Sequence, residues 1–293
     1  MAYNHEKYIS KALDGFLKQK TKYSFEVLIN EDCSTDSTKT ILMEYEKKYP
    51  EIIKPIYQNE NQYSKGIDII GDFILPRAKG KYFAFCEGDD FWVDDGKLEK
   101  QIDFLERNPS FSFCIHNSLN VNPEGETVSI HRVVEKSREV TMSEVILGRG
   151  GFCATNSIVA PMALIKKLPR CLKAYPLDQI WQLYLASQGK SYCFQEPMSA
   201  YRLNCAGSWS ERINSDPNKK ILVLSKINEA LILFDEDTGY KYKKMIEVER
   251  LKNKIEEASI LRKKTKNKVM RLKYTFLRLC YQFRKSFILK GGV

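Results

Sequence analysis

The stretch Tyr82-Phe-Ala-Phe-Cys-Glu-Gly-Asp-Asp90 is an apolar run that passes directly into acidic residues. A short apolar run of this kind is typical of a buried strand, which puts the acidic residues at the strand's carboxyl end. The earlier stretch Phe25-Glu-Val-Leu-Ile-Asn-Glu-Asp32 repeats the arrangement and ends on Glu31 and Asp32. In open α/β sheets, ligands bind beyond the carboxyl ends of the strands. The two acidic clusters are therefore predicted to face one crevice.

Helical patterns alternate with strand patterns over the first 120 residues. Apolar side chains recur at helical spacing in residues 6–20, and further helices are predicted over residues 66–79 and from Lys97 to Arg107, with Phe111 to Val121 as a strand. Such alternation predicts a layered α/β fold with a mixed, mainly parallel sheet flanked by helices.

Length and composition indicate one substantial core with an appendage. The chain has 293 residues, 43% of them hydrophobic and 29% charged, which is typical of a globular protein. Beyond about residue 215 the sequence becomes charged, helical in pattern and nearly free of glycine. We therefore predict a main domain over residues 1–215 and a basic helical extension over residues 216–293.

The net charge of +10 belongs to the end of the chain. Residues 258–293 hold eleven of the 47 Lys and Arg residues and none of the 37 Asp and Glu residues. The rest of the chain is close to neutral, so the main domain is not predicted to bind nucleic acid.

Apolar side chains recur in this basic tail at spacings of three or four: Val269, Leu272, Phe276, Leu279, Phe283 and Phe287. A basic amphipathic helix of this kind suits the surface of an anionic membrane. The alternatives are packing on the main domain, packing on a second subunit, and RNA binding without a recognisable nucleic-acid module.

Eight cysteines are scattered singly, without the pairing or the nearby histidines of a zinc site. Reduced cysteines in a cytosolic protein are the simpler interpretation. Neither a secretion signal nor a membrane span is predicted, because no sufficiently long apolar stretch occurs. The predicted location is cytoplasmic, with peripheral attachment to the inner face of the cell membrane through residues 258–293.

The cluster Glu87-Gly-Asp-Asp90 suits a divalent cation. Carboxylates on both sides of Gly88 offer the oxygen ligands that Mn²⁺ and Mg²⁺ prefer, and the glycine allows close approach of a ligand to the backbone. Such a cation can neutralise charge that develops on a diphosphate leaving group. The alternative is an acidic turn with no ligand.

Three motifs in order resemble glycosyltransferase family 2, in the branch that builds bacterial surface polysaccharides. The first runs from Phe25 to Thr38, the second from Gly80 to Trp92, and the third comprises Asp178 to Gly189 followed by Glu196-Pro-Met-Ser-Ala-Tyr-Arg202 and Gly207-Ser-Trp209. The resemblance covers about residues 2–212 and implies the GT-A fold. It also implies an inverting transfer of a sugar from a nucleoside diphosphate donor, with UDP as the expected nucleotide, to a glycan or lipid-linked acceptor.

The resemblance also implies roles for individual residues. Glu31 and Asp32 would contact the nucleoside with Asn4 nearby, while Glu87 and Asp89 would hold Mn²⁺ or Mg²⁺. Asp89 would be the more direct ligand and Asp90 a helper.

The resemblance further implies that Asp178 is the base that deprotonates the acceptor hydroxyl. A carboxylate at a helix N-terminus is stabilised in its charged form, as a base requires, although Asp178 would also serve as a helix cap. Arg202 would either pair with phosphate or anchor a loop by a salt bridge.

The chain departs from the family pattern at its beginning. The first strand of the family normally precedes the equivalent of Tyr3-Asn4, and only Met1 and Ala2 stand there. We therefore expect a truncated or misplaced start. A catalytically degenerate glycan-binding or scaffold protein is the alternative function, whereas a nucleotidyltransferase would need a glycine-rich phosphate loop that the sequence lacks.

Overall fold

The computed structural model describes residues 1–205 and 208–290. Its helices are α1 (Ile9–Leu17), α2 (Thr38–Lys48), α3 (Lys97–Arg107), α4 (Met142–Gly148), α5 (Met162–Ile165), α6 (Arg170–Ala174), α7 (Asp178–Ser187), α8 (Trp209–Ser215), α9 (Pro217–Asp237), α10 (Lys243–Lys264) and α11 (Lys268–Lys290). Its strands are β1 (Val27–Glu31), β2 (Ile53–Tyr57), β3 (Tyr82–Ala84), β4 (Phe91–Trp92), β5 (Phe111–Val121), β6 (Thr127–His131), β7 (Arg138–Val140), β8 (Val159–Pro161) and β9 (Lys190–Arg202). Most of the predicted elements are therefore present.

One predicted helix is much shorter than expected. Residues 66–79 contain only the π-helical segment Ile69–Ile74, after the short 3₁₀ turn Tyr63–Lys65. Pro76 has no N–H with which to continue a helical ladder, which limits the segment on its C-terminal side.

The strands form a mixed arrangement, as predicted. β1 and β2 pair in parallel as a two-stranded sheet. The larger sheet has the order β3-β8-β5-β9-β4, with β6 beside β5 and β7 beside β9. Its β5–β9 pair is parallel, and its other pairs are antiparallel. The proportion of parallel pairs is lower than in the mainly parallel sheet that was predicted, because β6, β7 and β8 run antiparallel to their neighbours. The local sequence pattern does not encode these pairings.

Met1 and Ala2 take part in the sheet region in spite of their position at the start of the sequence. Ala2 is fully buried and forms a parallel bridge with Glu31, in which its N–H donates to the Asn30 carbonyl at 2.8 Å. The Met1 carbonyl accepts a hydrogen bond from the Gly88 N–H at 3.1 Å. These two residues therefore connect β1 with the loop that follows β3.

The contacts divide the chain into two compact units. Unit 1 comprises residues 1–141, 151–168 and 188–203, and unit 2 comprises residues 142–150, 169–187 and 204–293. The predicted boundary at residue 215 stays a prediction about folding domains. Apolar side chains from α1, α2, α3 and β1 fill the core of unit 1, where Trp92 packs edge-on against Phe16 with ring centres 4.6 Å apart.

Candidate functional site

Asp90 anchors the acidic loop between β3 and β4. Its side chain is almost fully buried, with Oδ1 accepting from the Arg202 N–H and Oδ2 accepting from Asn156 Nδ2, each at 2.8 Å. Burial raises the pKa of Asp90 well above its usual range, and the neighbouring Asp89 charge raises it further. Both oxygens of this carboxyl are therefore used to hold the loop to distant parts of unit 1.

Asp89 and Glu87 differ from Asp90 in both exposure and partners. Both side chains are partly exposed, and no residue in the described ranges donates a hydrogen bond to the Asp89 carboxylate. Glu87 Oε2 lies 3.4 Å from the Met1 amino nitrogen. The Asp89 oxygens thus remain available to a ligand while the backbone beneath them is fixed.

Gly88 and His5 pack tightly beneath this loop. A Cβ atom at position 88 would lie 2.6 Å from His5 Nδ1 and 3.0 Å from the Met1 carbonyl oxygen, so only glycine fits without a shift. His5 Nδ1 is buried with no hydrogen-bond partner among the described residues. Burial lowers the pKa of His5, although the charges of Asp89 and Glu87 oppose that shift.

Arg202 lies at the end of β9 and binds backbone carbonyl groups. Its Nε donates to the Asp89 carbonyl at 2.8 Å, and one terminal nitrogen donates to the carbonyls of Asn122 and Pro123 at 3.2 and 2.7 Å. The guanidinium also stacks on the Tyr8 ring, 4.5 Å from its centre. These contacts anchor the loop through carbonyl groups, whereas the sequence interpretation expected either a salt bridge or a phosphate.

Glu31 and Asp32 follow β1, and both are fully buried. Glu31 Oε1 accepts from the Ser34 N–H at 2.7 Å, whereas Oε2 has no partner among the described residues. Asp32 uses both oxygens to accept the N–H groups of Gln62 and Tyr63, each at 3.0 Å. Glu31 therefore retains an unused acceptor, while Asp32 holds the turn after β2 in place.

Asn4 joins the beginning of the chain to the same loop. Its backbone has φ of 55°, a left-handed conformation that asparagine tolerates better than most residues. Its N–H donates to Ser34 Oγ at 3.1 Å, and its Oδ1 accepts from the Thr35 N–H at 2.9 Å. The loops that carry Asn4, Glu31 and Asp89 all belong to unit 1, so the structure brings the predicted donor-site segments into one unit.

Asp178 is the first residue of α7, in unit 2. Its side chain is exposed. The helix dipole at this end stabilises a charged carboxylate. Of the other predicted residues of the third motif, Gly207 lies outside the described residues.

The sequence interpretation did not identify Asn156, Tyr8 or Lys11 as part of this site. Asn156 holds Asp90 from 66 residues away, and Lys11 lies over the Phe91 ring, 4.1 Å from its centre. Burial and the charge of Arg202 lower the pKa of Lys11. Spacing along the sequence gives no signal for such partners, because the fold alone brings them to the loop.

Few side chains of this site could serve as metal ligands. Within residues 1–205 and 208–290, no three His, Cys, Asp or Glu side chains are grouped so as to hold a metal ion by themselves. Two carboxylates are nevertheless sufficient for Mg²⁺-type sites, in which water and substrate phosphates supply the remaining ligands. Asp89 and Glu87 fit a site of that kind.

Sequence comparison relates the chain to several bacterial proteins. It is 35% identical over 214 residues to an uncharacterized protein of Mycobacterium tuberculosis, an alignment that covers 71% of this chain and 59% of that protein. It is 31% identical over 203 residues to the putative teichuronic acid biosynthesis glycosyltransferase TuaG of Bacillus subtilis, covering 69% of this chain and 76% of TuaG. The chain thus spans little more than half of the mycobacterial relative's length.

Two solved structures share the fold. The Staphylococcus aureus TarS fragment 1–349 matches with a TM-score of 0.55 and 17% identity, over 99% of this chain and 90% of that one. The mannosyltransferase PcManGT from Pyrobaculum calidifontis, solved with GDP-Man and Mn²⁺, matches with a TM-score of 0.52 and 14% identity, over 98% and 82%. The mixed sheet flanked by helices is therefore a GT-A-like fold, as predicted.

The model of the family described as Glycosyl transferase family 2 matches residues 1–159, a span that contains β1, β3 and the acidic loops after them. That match covers more than half of the chain, and the resemblance in the sequence is thereby confirmed. The chain belongs to glycosyl transferase family 2.

Proposed function

We propose that the chain transfers a sugar, with inversion, from a nucleoside diphosphate donor to a hydroxyl group of a growing surface glycan. The observation that carries the proposal is the exposure and the hydrogen bonding of the Asp89 carboxylate. Its carboxylate is partly exposed and accepts no hydrogen bond from a described residue, while Asp90 and Arg202 fix the loop that presents it. A carboxylate held in this way is preorganised for a ligand.

The proposed ligand at this loop is a divalent cation, Mn²⁺ or Mg²⁺, held by Asp89 and Glu87. The structure of PcManGT contains Mn²⁺ with a nucleotide sugar, which supports a metal in a protein of the same fold. Bound there, the cation would supply positive charge to the departing diphosphate. Asp90 would act as the helper that holds the loop, because both its oxygens are already used.

The proposed nucleoside site lies at the end of β1, with UDP as the donor nucleotide. Glu31 Oε2 is a buried acceptor without a partner among the described residues, a costly arrangement that a base or ribose donor would relieve. Asp32 and Asn4 would shape this site through the backbone groups that they bind. Phosphate binding by Arg202 stays a prediction, since its contacts here are with carbonyl groups.

The proposed base is Asp178, which would take the proton of the acceptor hydroxyl. Its support is the third sequence motif and its exposed place in the first turn of α7, where the helix dipole favours a negative charge. An inverting reaction requires one base and forms no covalent sugar intermediate on the protein.

The proposed acceptor is a glycan or lipid-linked glycan, and the proposed location is the cytoplasmic face of the membrane. TuaG is named for teichuronic acid biosynthesis, which supports a polysaccharide pathway. No helix of residues 1–205 and 208–290 combines the length and apolar character that a membrane crossing requires.

Calorimetric titration of the chain with UDP and with GDP, each with and without Mn²⁺, tests the proposal. We expect metal-dependent binding of UDP in the native chain and loss of at least tenfold in affinity in Asp89→Ala. The matched control is Asp95→Asn, which removes another partly exposed carboxylate that pairs with Lys20 at 3.2 Å. This control should bind as the native chain does.

An assay of sugar transfer from the donor to an acceptor completes the test. Asp178→Asn should keep metal-dependent UDP binding and lose transfer to an acceptor. A well-folded native chain that binds neither nucleotide would overturn the proposal and favour the degenerate glycan-binding or scaffold protein. If GDP binds more tightly than UDP, the proposed nucleotide would change to GDP and the rest of the proposal would stand.

A further inference from the structure

Helix α11 has apolar side chains on two opposite faces. On the face towards α10 the side chains are half-buried, among them Met270, Leu277 and Ile288. Tyr281 on the same face lies under Lys254 of α10, and Arg284 forms an ion pair with Glu247 of α10. These contacts place α11 on α10 within unit 2.

The opposite face of α11 is apolar and exposed. We call it the apolar stripe, and its members are Val269, Leu272, Phe276, Leu279, Phe283 and Phe287. Between 53% and 76% of each side chain is accessible to solvent. At 100° per residue they lie within an arc of about 80°, and the rise from Val269 to Phe287 corresponds to about 27 Å of helix. Apolar patches of this extent are unusual on soluble proteins and mark interaction sites.

The charges around the apolar stripe have one sign. Residues 268–290 contain seven Lys and Arg residues and no Asp or Glu. On a helical projection Lys268 lies on one side of the stripe and Lys273 lies on the other, whereas Arg284 is paired with Glu247 of α10. A partner that covers the stripe must therefore accept both apolar side chains and adjacent positive charge.

We propose that the apolar stripe of α11 inserts into the surface of an anionic lipid bilayer, with the helix lying parallel to the membrane plane. The inference rests on the proposed function, in which the acceptor is a lipid-linked glycan. It adds that the apolar stripe of α11 is the surface that contacts the membrane and that the lipids there are anionic. The aromatic side chains enter the boundary between headgroups and acyl chains, and the flanking Lys and Arg residues contact anionic headgroups.

A second copy of the chain fits this surface less well than a membrane does. Pairing two α11 helices through their stripes would bring Lys268 and Lys273 of both copies together with no acidic side chain on either α11 helix. Helix pairs normally place opposite charges at such flanking positions. An anionic bilayer instead supplies the missing negative charge.

Flotation of the full-length chain with lipid vesicles tests this inference. We expect binding to vesicles of phosphatidylglycerol mixed with phosphatidylcholine, weak binding to phosphatidylcholine alone, and release as salt screens the headgroup charge. The double variant Phe276→Gln/Phe283→Gln should bind at least tenfold more weakly. Lys268→Gln/Lys273→Gln should lose about fivefold per charge on anionic vesicles only.

The matched control is Val128→Gln/Ile130→Gln, which removes two other exposed apolar side chains, on β6 in unit 1. It should bind vesicles as the native chain does. Circular dichroism confirms that each variant is folded. Labelling of Cys280, which is exposed beside the stripe, gives an independent measurement on the native chain and should slow when anionic vesicles are added.

Two results would overturn the inference. The first is equal binding of the native chain and the stripe variant to anionic vesicles. The second is a native dimer that the stripe variant converts to a monomer, with no vesicle binding by either, which would assign the stripe to a second copy. Titration with UDP and Mn²⁺ separates this outcome from failure of the proposed function, because no stripe residue belongs to the donor site.

Discussion

At the scale of single residues, neighbouring side chains of one short motif have different tasks. The Asp89 carboxylate is partly exposed and accepts no hydrogen bond from a described residue, whereas the Asp90 carboxyl group is buried and binds Arg202 and Asn156. Another residue set apart by burial is Lys97, at the start of α3. Its side chain is fully buried, and its Nζ finds no hydrogen-bond partner among the described residues. Nζ lies over the Trp92 ring, 4.2 Å from its centre.

Burial lowers the pKa of Lys97 to about 8, while nearby Cys86, Cys114 and Asp94 oppose the shift. Between this value and the ordinary 10.5 the unfolded chain binds more protons than the native chain, so the lysine's contribution to stability rises with pH. Relative to Lys97→Met, the native chain should therefore gain about 2 kcal/mol in its free energy of unfolding from pH 7.5 to pH 9.5. Urea unfolding at both pH values measures this difference.

Lys100→Met provides the control for that comparison. Lys100 is on the same helix, is partly exposed and pairs with Asp94 at 2.6 Å. Its variant should follow the pH dependence of the native chain in this range. Parallel stability curves for the native chain and Lys97→Met would show that the buried lysine keeps an ordinary pKa.

At the scale of elements, buried charge also determines how α10 is held in unit 2. Glu249 is buried, and its pKa is raised by that burial. Arg149, which follows α4, places Nε 3.5 Å from Glu249 Oε2 and also reaches Asn253 and Glu256. These three α10 residues occur at spacings of four and three, so they share one face of the helix. A single arginine thus binds α10 over two turns.

Arg149→Ala should lower the free energy of unfolding by about 2–4 kcal/mol, because it leaves the Glu249 carboxylate buried with less compensation. Arg149 has φ of 59°, and alanine resists that conformation as arginine does, so the backbone contribution is similar in both. Glu249→Gln should cost less than about 1 kcal/mol, since burying an amide requires less desolvation than burying a charge. Urea denaturation of both variants and of the double variant measures these effects.

The double variant is decisive for the interpretation. If Glu249 and Arg149 interact as described, combining the two substitutions should cost less than the sum of the single costs. Additive costs would mean that Arg149 stabilises the helix through Asn253 and Glu256 alone.

At the scale of the whole molecule, charge and reactive groups are distributed unevenly. The net positive charge arises from residues 258–293, which contain Lys and Arg but no Asp or Glu. All eight cysteines are free thiols, and they differ widely in exposure. Cys280 is exposed on α11, Cys33 and Cys86 are partly covered, and the other five are buried. Burial raises the pKa of the Cys86 thiol well above its usual range, which also reduces its reactivity.

A chromogenic disulfide reagent should therefore label one thiol quickly in the native chain, and this fast phase should disappear in Cys280→Ser. The five buried thiols should react only on unfolding, so their labelling in increasing urea should coincide with the loss of helical circular dichroism. Rapid labelling of several thiols without denaturant would contradict the packing described for both units.

Local patterns in the sequence were sufficient to predict the strands that end in acidic residues, helix α3, strand β5, the helical character beyond residue 215 and the family. Each depends on periodicity or on a short motif, which neighbouring residues encode by themselves. The apolar period of α11 was equally visible, because a spacing of three or four requires no knowledge of the fold.

Only the tertiary structure decided which polar groups already have hydrogen-bond partners. Asp90 is bound by Asn156 and Arg202, residues 66 and 112 positions away, and Ala2 bridges to Glu31. It also grouped the segment that contains Asp178 with unit 2, and it divided the apolar residues of α11 between α10 and solvent. These outcomes depend on contacts between residues far apart in the chain. A local sequence pattern does not contain information about which distant group will bind a buried carboxylate or cover an apolar face.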